Sequence, residues 1–327
     1  MTMKCKKSSF TKSLAMSLPD FPTISSDTLH KIAERHQLAG RTFRPLPSSG
    51  VFNAIYLVGD DLVLRVPRNH PHFVAALAKE AIAVPAARAA GVRTPRLIAF
   101  DDSLTLLPVP YALYDRVHGE ALESLGVDPA TTPAAYRELG RDLARLHAGV
   151  SSDSPVGQLG APNLPQGDPR PLSQELAAAG YFSAAEARWL EGWLDRLPPI
   201  LATPPAMRFL HGDTQATNVL VQPDSLEYLA LIDWGGCGWG DPALDCSGMP
   251  LSAVPDVLAG YREIAVFPDD ATAEARILRY HLHFALINIR NEPQPLRSWG
   301  ERPLGYILEI MRFLLAPPSS RWAELRP

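Results

Sequence analysis

The stretch His211-Gly212-Asp213-Thr214-Gln215-Ala216-Thr217-Asn218-Val219-Leu220-Val221, followed downstream by Ile232-Asp233-Trp234-Gly235, decides how this chain is read. Asn218 stands five positions after Asp213, and Asp233 fifteen after Asn218. Val219 to Val221 and Tyr228 to Ile232 are strand-like runs joined by a Pro223-Asp224 turn. A hairpin there can return Asp233 to the side of Asn218. One carboxylate on a loop before a strand, one amide oxygen and a second carboxylate then face a common point. A carboxylate held against an alcohol can take its proton as a new bond forms, which is typically worth about 10²–10⁴-fold. Amide and carboxylate oxygens are the ligands that magnesium takes, and magnesium offsets the charge of a triphosphate. Asp213 is therefore expected to be the base of a phosphoryl transfer, with Asn218 and Asp233 holding Mg2+.

Outward from this segment, the chain divides by texture. Towards the amino terminus, Ser26 to Gly40 carries a helical stripe of Leu29, Ile32 and Ala33, with Ser26 or Asp27 placed to cap it and Gly40 to end it. Two apolar runs, Ala54 to Val58 and Leu62 to Val66, flank Gly59-Asp60-Asp61 and predict a hairpin. Phe73 to Ala90 reads as a helix closed by Gly91, and Thr94 to Phe100 and Tyr111 to Val117 as further strands. After Gly119 the pattern turns helical, with Leu139, Leu143 and Leu146 in the run 134–147. A Pro/Gly-rich loop over 151–171 follows, then helices over 173–180 and 184–196, and a mostly helical segment beyond Pro255. The organisation is α+β: a small β-rich lobe, a hinge near 115–119, and a larger helical lobe.

An Asp, four residues, an Asn, a hairpin and a second Asp before Gly is the kinase order. The string HGDxxxxN followed by IDWG resembles the aminoglycoside phosphotransferase and choline kinase branch of the kinase-like fold. Gly240-Asp241-Pro242-Ala243-Leu244-Asp245 is similar to that branch's next segment. The resemblance runs from about 27 to 315, with its specific motifs in 211–245. It implies a two-lobed protein-kinase-like fold, with a nucleotide-binding lobe over 23–117 and a catalytic, substrate-binding lobe over 118–327. It also implies ATP or GTP as phosphoryl donor, Mg2+, and a small-molecule hydroxyl as acceptor: an aminoglycoside, a macrolide or a metabolite alcohol.

The resemblance assigns parts to the first lobe as well. Ser48-Ser49-Gly50-Val51-Phe52-Asn53 falls where a phosphate-covering loop belongs, making Ser48, Ser49, Gly50 and Asn53 nucleotide contacts; without GxGxxG it also reads as an ordinary hairpin turn. In Leu64-Arg65-Val66-Pro67-Arg68, Arg65 takes the slot of the family's phosphate-gripping lysine, as in a similar string of some macrolide phosphotransferases. Glu80 is its expected partner. Arginine keeps the charge and can pair bidentately with a carboxylate, though a surface strand arginine would read the same. Tyr114-Asp115-Arg116-Val117 resembles the hinge, which places Asp115 and Val117 beside the purine; a plain strand end is the other reading. His211 is expected to bond backbone near Asp233 rather than to act in catalysis. Asp245 is expected to brace the loop, and Asp241 either to brace it or to meet substrate.

Bulk composition sets the remaining bounds. Hydrophobic residues make up 46% and charged residues 20% of 327, with a net charge of -4. That suits a folded globular protein and lacks the basic footprint of a nucleic-acid binder. The three cysteines, Cys5, Cys237 and Cys246, match no zinc spacing, and a reduced cytoplasmic setting fits them. No apolar run is long enough for a membrane span. Residues 1–22 carry four lysines and no apolar core of a signal, so a disordered basic tail is expected. A monomer or homodimer is expected. Arg276, Arg279, Arg290 and Arg297, with few acids around them, tilt the expectation away from polycationic acceptors. A competing reading is a catalytically weak or inactive kinase-like nucleotide-binding protein, suggested by Arg65 and the unusual loop.

Overall fold

The computed structural model describes residues 19–46, 52–165, 167–197, 207–293 and 298–327. Helix α1 (Ser26–Arg35) is capped by Ser25, one position before the expected cap, whose hydroxyl accepts from the Thr28 amide at 3.0 Å. It stops short of Gly40 because Gln37 takes a left-handed φ of 58°. Strands β1 (Phe43–Pro45), β2 (Asn53–Val58) and β3 (Leu62–Pro67) precede helix α2 (Pro71–Ala89), and β4 (Leu97–Asp101) and β5 (Tyr111–Asp115) follow it. All five strands form one antiparallel sheet in the order β1-β2-β3-β5-β4. Side chains alternate along β3: Leu62, Leu64 and Val66 are buried in a core shared with Ile32 and Ala33 of α1. Arg65 is thereby sent to the opposite face, where α2 lies.

The helical half holds β6 (Glu120–Ala121), α3 (Pro133–Gly149), α4 (Arg170–Ala178), α5 (Ala184–Arg196), β7 (Arg208–Leu210), β8 (Val219–Val221), β9 (Tyr228–Leu231) and β10 (Gly238–Gly240). Helices α6 (Val254–Ile264), α7 (Ala273–Asn288), α8 (Gly305–Leu315) and α9 (Ser320–Ala323) complete it. Strands β6, β8 and β9 make a small antiparallel sheet, and β7 pairs with β10. The second core cluster is not confined to this half: Leu77, Ala83, Val84 and Ala87 of α2 and Tyr114 of β5 belong to it, together with α3, α6 and α7. Helix α2 buries one face, Leu77, Glu80, Ala83, Val84 and Ala87, and leaves Ala75, Pro85 and Ala89 exposed on the other. It ties the sheet to the site below. Among the described residues no helix is long and apolar enough to cross a membrane.

Two expectations need correction. Trp189 and Trp193 stand four apart in the run 184–196, a spacing that predicts a shared core face, yet Trp189 is 57% exposed while Trp193 is buried. The arginines of the last third are largely structural. Arg276 is fully buried against Asp241, Arg279 reaches Asp168 at 3.1 Å, and Arg290 reaches Glu175 at 3.1 Å. Arg297 lies outside the described residues. Their number says nothing about acceptor charge.

His281 and His283 do not share a ligand site. His281 is fully buried, and its Nε2–H donates to the Cys246 carbonyl at 3.0 Å. Its Nδ1 has no partner among the described residues. Protonation would place an unpaired donor in the core, and burial accordingly holds the ring's pKa down at about 4. The unfolded chain takes up this proton near pH 6.5, so stability is lost as pH falls from there towards 4. Wild type is expected to lose about 2 kcal/mol between pH 7 and pH 5 through this group. His281→Gln, which keeps a donor for Cys246, should flatten that slope in urea denaturation; an unchanged slope would refute the assignment.

Candidate active site

The loop after β7 and the loop after β9 are clamped together by pairing of β7 with β10, which sets Leu210 opposite Gly238. Gly212 sits at the crossing with φ of 78°, where a Cβ would strike the Gly236 carbonyl. Only glycine satisfies both demands there. Below the crossing, the buried carboxylate of Asp245 accepts from the amides of His211 (2.9 Å) and Gly212 (2.8 Å) and from His147 Nε2 (3.0 Å). Asp245 is therefore a brace. So is Asp241, which accepts from the Ala243 amide, Arg276 and the Tyr280 hydroxyl.

His211 links the two loops. Its Nε2–H donates to the Ile232 carbonyl at 3.1 Å, and its Nδ1 accepts from the Asp213 amide at 3.2 Å. The ring stands edge-on to Trp234 with centroids 4.5 Å apart, and burial lowers its pKa, so it stays neutral. With both nitrogens engaged to backbone, it ties the Asp213 loop to the Asp233 loop. The Ile232 amide donates to the Asn218 carbonyl at 2.9 Å, and Asn218 Nδ2 donates to the Asp213 carbonyl at 2.9 Å. The chain around Asp213, Asn218 and Asp233 is thus one hydrogen-bonded unit.

Asp213 accepts a bond from Gln215 Nε2 at 2.8 Å on its Oδ1. Burial raises its pKa, and the Gln215 bond and His211 oppose that rise. Asp233 has a left-handed φ of 68° that turns it towards α2. Burial would raise its pKa too, but the Arg65 charge and hydrogen bond prevail and hold it below the usual carboxylate range. Arg65 spans two acids, donating from Nη1 to Glu80 at 2.7 Å and from Nη2 to Asp233 at 3.2 Å. Tyr114 adds a third bond, from its hydroxyl to Glu80 at 3.2 Å. Burial pushes the Glu80 carboxyl upward, and Arg65 works against this. Gly235 lets α2 approach, since a Cβ there would lie 3.1 Å from that of Ala76.

Asp213 stands where two cavities meet. The first, of about 230 Å³, lies between α2 and the two loops, with Asn53, Phe73, Glu80 and Asp233 in its wall. The second, of about 190 Å³, lies on the other side, with Leu244, Phe284, Ile287 and Tyr306 in its wall. Leu164, Gly212, Asp213 and Gln215 line both. Asn218 is only 6% exposed and stands behind Asp213 rather than in either wall. Asn53 borders the first cavity, and its Oδ1 is buried without a partner among the described residues.

Other sequence-based assignments fall further out. Ser48, Ser49 and Gly50 lie outside the described residues. The Asp115 carboxylate is turned to Arg96 (3.1 Å), and the Asp115 amide donates to the Arg96 carbonyl at 2.9 Å. Neither group faces the first cavity. Val117, half-buried, follows on the same connecting segment. Sequence reading missed Gln215, although it lies inside the diagnostic string. It also missed Leu164 and Asn163, contributed by the Pro/Gly-rich loop and tied down by the Asn163 amide on the Gly236 carbonyl at 3.0 Å. Nothing local marks Phe284 and Tyr306 as cavity residues, because only the packing of α7 against α8 brings them to Asp213.

The donor set suits magnesium in kind. Asp233 and Asn218 offer hard oxygens, and Arg65 keeps Asp233 ionised at neutral pH. The Asn218 amide nitrogen is committed to Asp213, which leaves its oxygen as the ligating end.

Comparison with known proteins identifies the family and the fold. The profile described as "Phosphotransferase enzyme family" matches residues 42–277, more than half of the chain. Viomycin phosphotransferase of Streptomyces vinaceus is 28% identical over 205 residues, covering 60% of this chain and 68% of that protein. Mouse acyl-CoA dehydrogenase family member 10 is 25% identical over 183 residues, 53% of this chain but only 17% of that protein. Among solved structures, the GDP complex of wild-type aminoglycoside 2'-phosphotransferase-IIIa superposes with a TM-score of 0.59 at 18% identity, covering 91% of this chain and 96% of the other. A macrolide 2'-phosphotransferase from Brachybacterium faecium gives 0.56 at 21% identity, covering 92% and 97%. A choline/ethanolamine kinase family protein from Mesorhizobium loti gives 0.58 at 18%, covering 93% and 99%. At these identities the superpositions speak for the two-part α+β fold, and the profile match speaks for the chemistry: the chain belongs to the phosphotransferase enzyme family of small-molecule kinases.

Proposed function

We propose that this chain moves the γ-phosphoryl group of ATP or GTP to a hydroxyl of a small, largely apolar molecule, with Asp213 as base and Asn218 and Asp233 holding Mg2+. The observation that carries this reading is the position of Asp213 at the junction of two cavities, one walled by Asp233 and Glu80 and the other by Phe284 and Tyr306. The triphosphate takes the first cavity and the acceptor the second, so the reacting oxygen and phosphorus meet over one carboxylate. Arg65, paired with Glu80, lies at the phosphate end, and the purine is directed towards the segment that carries Asp115 and Val117.

In the reaction, the acceptor hydroxyl binds within hydrogen-bond reach of Asp213. Its oxygen attacks the γ-phosphorus as the bond to the leaving diphosphate breaks, and its proton passes to the Asp213 carboxylate. Burial raises the affinity of that carboxylate for a proton and so favours it as acceptor. A magnesium ion, when bound, screens the charge of the β- and γ-phosphates. His211 and Asp245 hold the base in register and touch neither substrate.

The mainly apolar second cavity, which carries only Asp213 and Glu301 as carboxylates among its lining residues, favours macrolide-like or alicyclic and aromatic alcohols over polycations, for which more carboxylates would be needed. A diphosphate-release screen with ATP and GTP against antibiotics and metabolite alcohols tests the reading, with ³¹P NMR to identify the phosphate ester. A turnover of nucleotide that no alcohol in the screen stimulates would defeat it. Asp233→Ala is expected to weaken Mg-nucleotide binding at least about tenfold. An unchanged affinity in calorimetric titration would remove Asp233 from the metal.

A further inference from the structure

Gln215 lines both cavities, and its two ends have different work. An ionised carboxylate can only accept hydrogen bonds. The 2.8 Å contact with Oδ1 of Asp213 therefore fixes the amide's polarity, with the NH2 group facing the base. Oε1 must then point away. Its direction is marked by Gly300: a Cβ built there would lie 3.8 Å from Gln215 Oε1 and 3.5 Å from the Tyr306 ring. Gly300 and Tyr306 are walls of the second cavity, so Oε1 faces the place where the acceptor binds. No donor among the described residues satisfies it. Around it the cavity is mainly apolar, with Thr214, Asn288 and Glu301 as its other polar walls, and the hydroxyls of Thr214 and Tyr306 are spent on the Asp245 and Ser247 carbonyls. Phe284 stacks on Tyr306 with rings 18° apart, giving that wall a flat face.

We propose that Gln215 couples the base to the acceptor. Its N–H orients Asp213, and its Oε1 receives a second hydrogen bond from the acceptor itself. Resting on the function proposed above, this narrows the acceptor class. The molecule presents a flat apolar or aromatic face and carries an O–H or N–H donor beside the hydroxyl that is phosphorylated. The cavity, at about 190 Å³, is smaller than the roughly 300–1,000 Å³ of pockets that engulf drug-sized ligands. It therefore takes one ring-sized end of the acceptor. Gln215 is a positioning and specificity residue, not a base.

The test uses the full chain, the best alcohol from the diphosphate-release screen, and an analogue of it whose neighbouring donor is O-methylated or removed. Wild type should favour the donor-bearing acceptor about tenfold or more in kcat/KM, the scale set by leaving one hydrogen-bonding group unpaired. Gln215→Met keeps the length without hydrogen bonds; it should bring the ratio near one and lower kcat about tenfold. Gln215→Glu keeps the accepting oxygen and loses the N–H, so it should retain the preference while kcat falls. Wild type that does not discriminate the pair would overturn the inference, and so would Gln215→Met that discriminates like wild type. If Gln215→Met does not fold, the wild-type ratio and Gln215→Glu decide. Undiminished turnover by Asp213→Asn, in contrast, would overturn the parent reading and this inference with it.

Discussion

Asp213→Asn should reduce phosphoryl transfer to the acceptor by at least about 10²-fold in kcat, with the fold and nucleotide affinity retained. The amide oxygen of asparagine can still accept the Gln215 bond now made to Oδ1, and the Asp213 main chain still binds Asn218 and His211. Nothing that holds the loop is removed. What is lost is the capacity to take a proton from the attacking hydroxyl, and asparagine has no means to replace it. Asp213→Ala should cost at least as much and also free Gln215. Initial rates of diphosphate release with acceptor present, alongside nucleotide titration and thermal unfolding, separate these effects. A loss of turnover matched by a loss of fold would instead mark Asp213 as structural.

The second large effect is expected at a residue that touches neither cavity. Asp245→Ala strips the partner from three buried donors at once, the amides of His211 and Gly212 and the His147 ring. Each orphaned donor costs about 1–3 kcal/mol, so destabilisation of at least about 3 kcal/mol is expected. Because those two amides fix the turn that presents Asp213, turnover should fall about 10²-fold or more even where the variant remains folded. Asp245→Asn keeps one accepting oxygen but turns an NH2 group towards donors, and should fall between the two. Denaturant midpoints and kcat measured at a temperature where all three forms are folded check both parts. Asp245→Ala with wild-type stability would refute the bracing role.

Much of this site was legible in the sequence because its parts are local. Asp213, Asn218 and Asp233 lie on a loop, a hairpin and a second loop, and strand pairing over so short a span leaves few ways to arrange them. Arg65 and Glu80 were marked by the family resemblance alone, and the structure supplies the reason they meet: strand alternation sends Arg65 to the face of β3 that α2 covers. The acceptor side was not legible. Phe284 and Tyr306 sit on helices whose apolar stripes read as ordinary core, and tertiary packing alone decides which of those residues border a cavity. Trp189 failed in the opposite direction, since helical spacing does not reveal which side of a helix its neighbours cover. The arginines of α7 misled because buried ion pairs, such as Arg276 with Asp241, look from sequence like free charge.

The most direct test is a crystal structure of the full chain with magnesium, a non-hydrolysable triphosphate and the best acceptor from the screen. The γ-phosphorus should lie in the cavity beside Asp233, the acceptor should lie against Phe284 and Tyr306, and its hydroxyl should stand within hydrogen-bond distance of Asp213. A triphosphate whose terminal group points away from Asp233, or an acceptor bound on a face from which Asp213 is out of reach, would contradict the assignment.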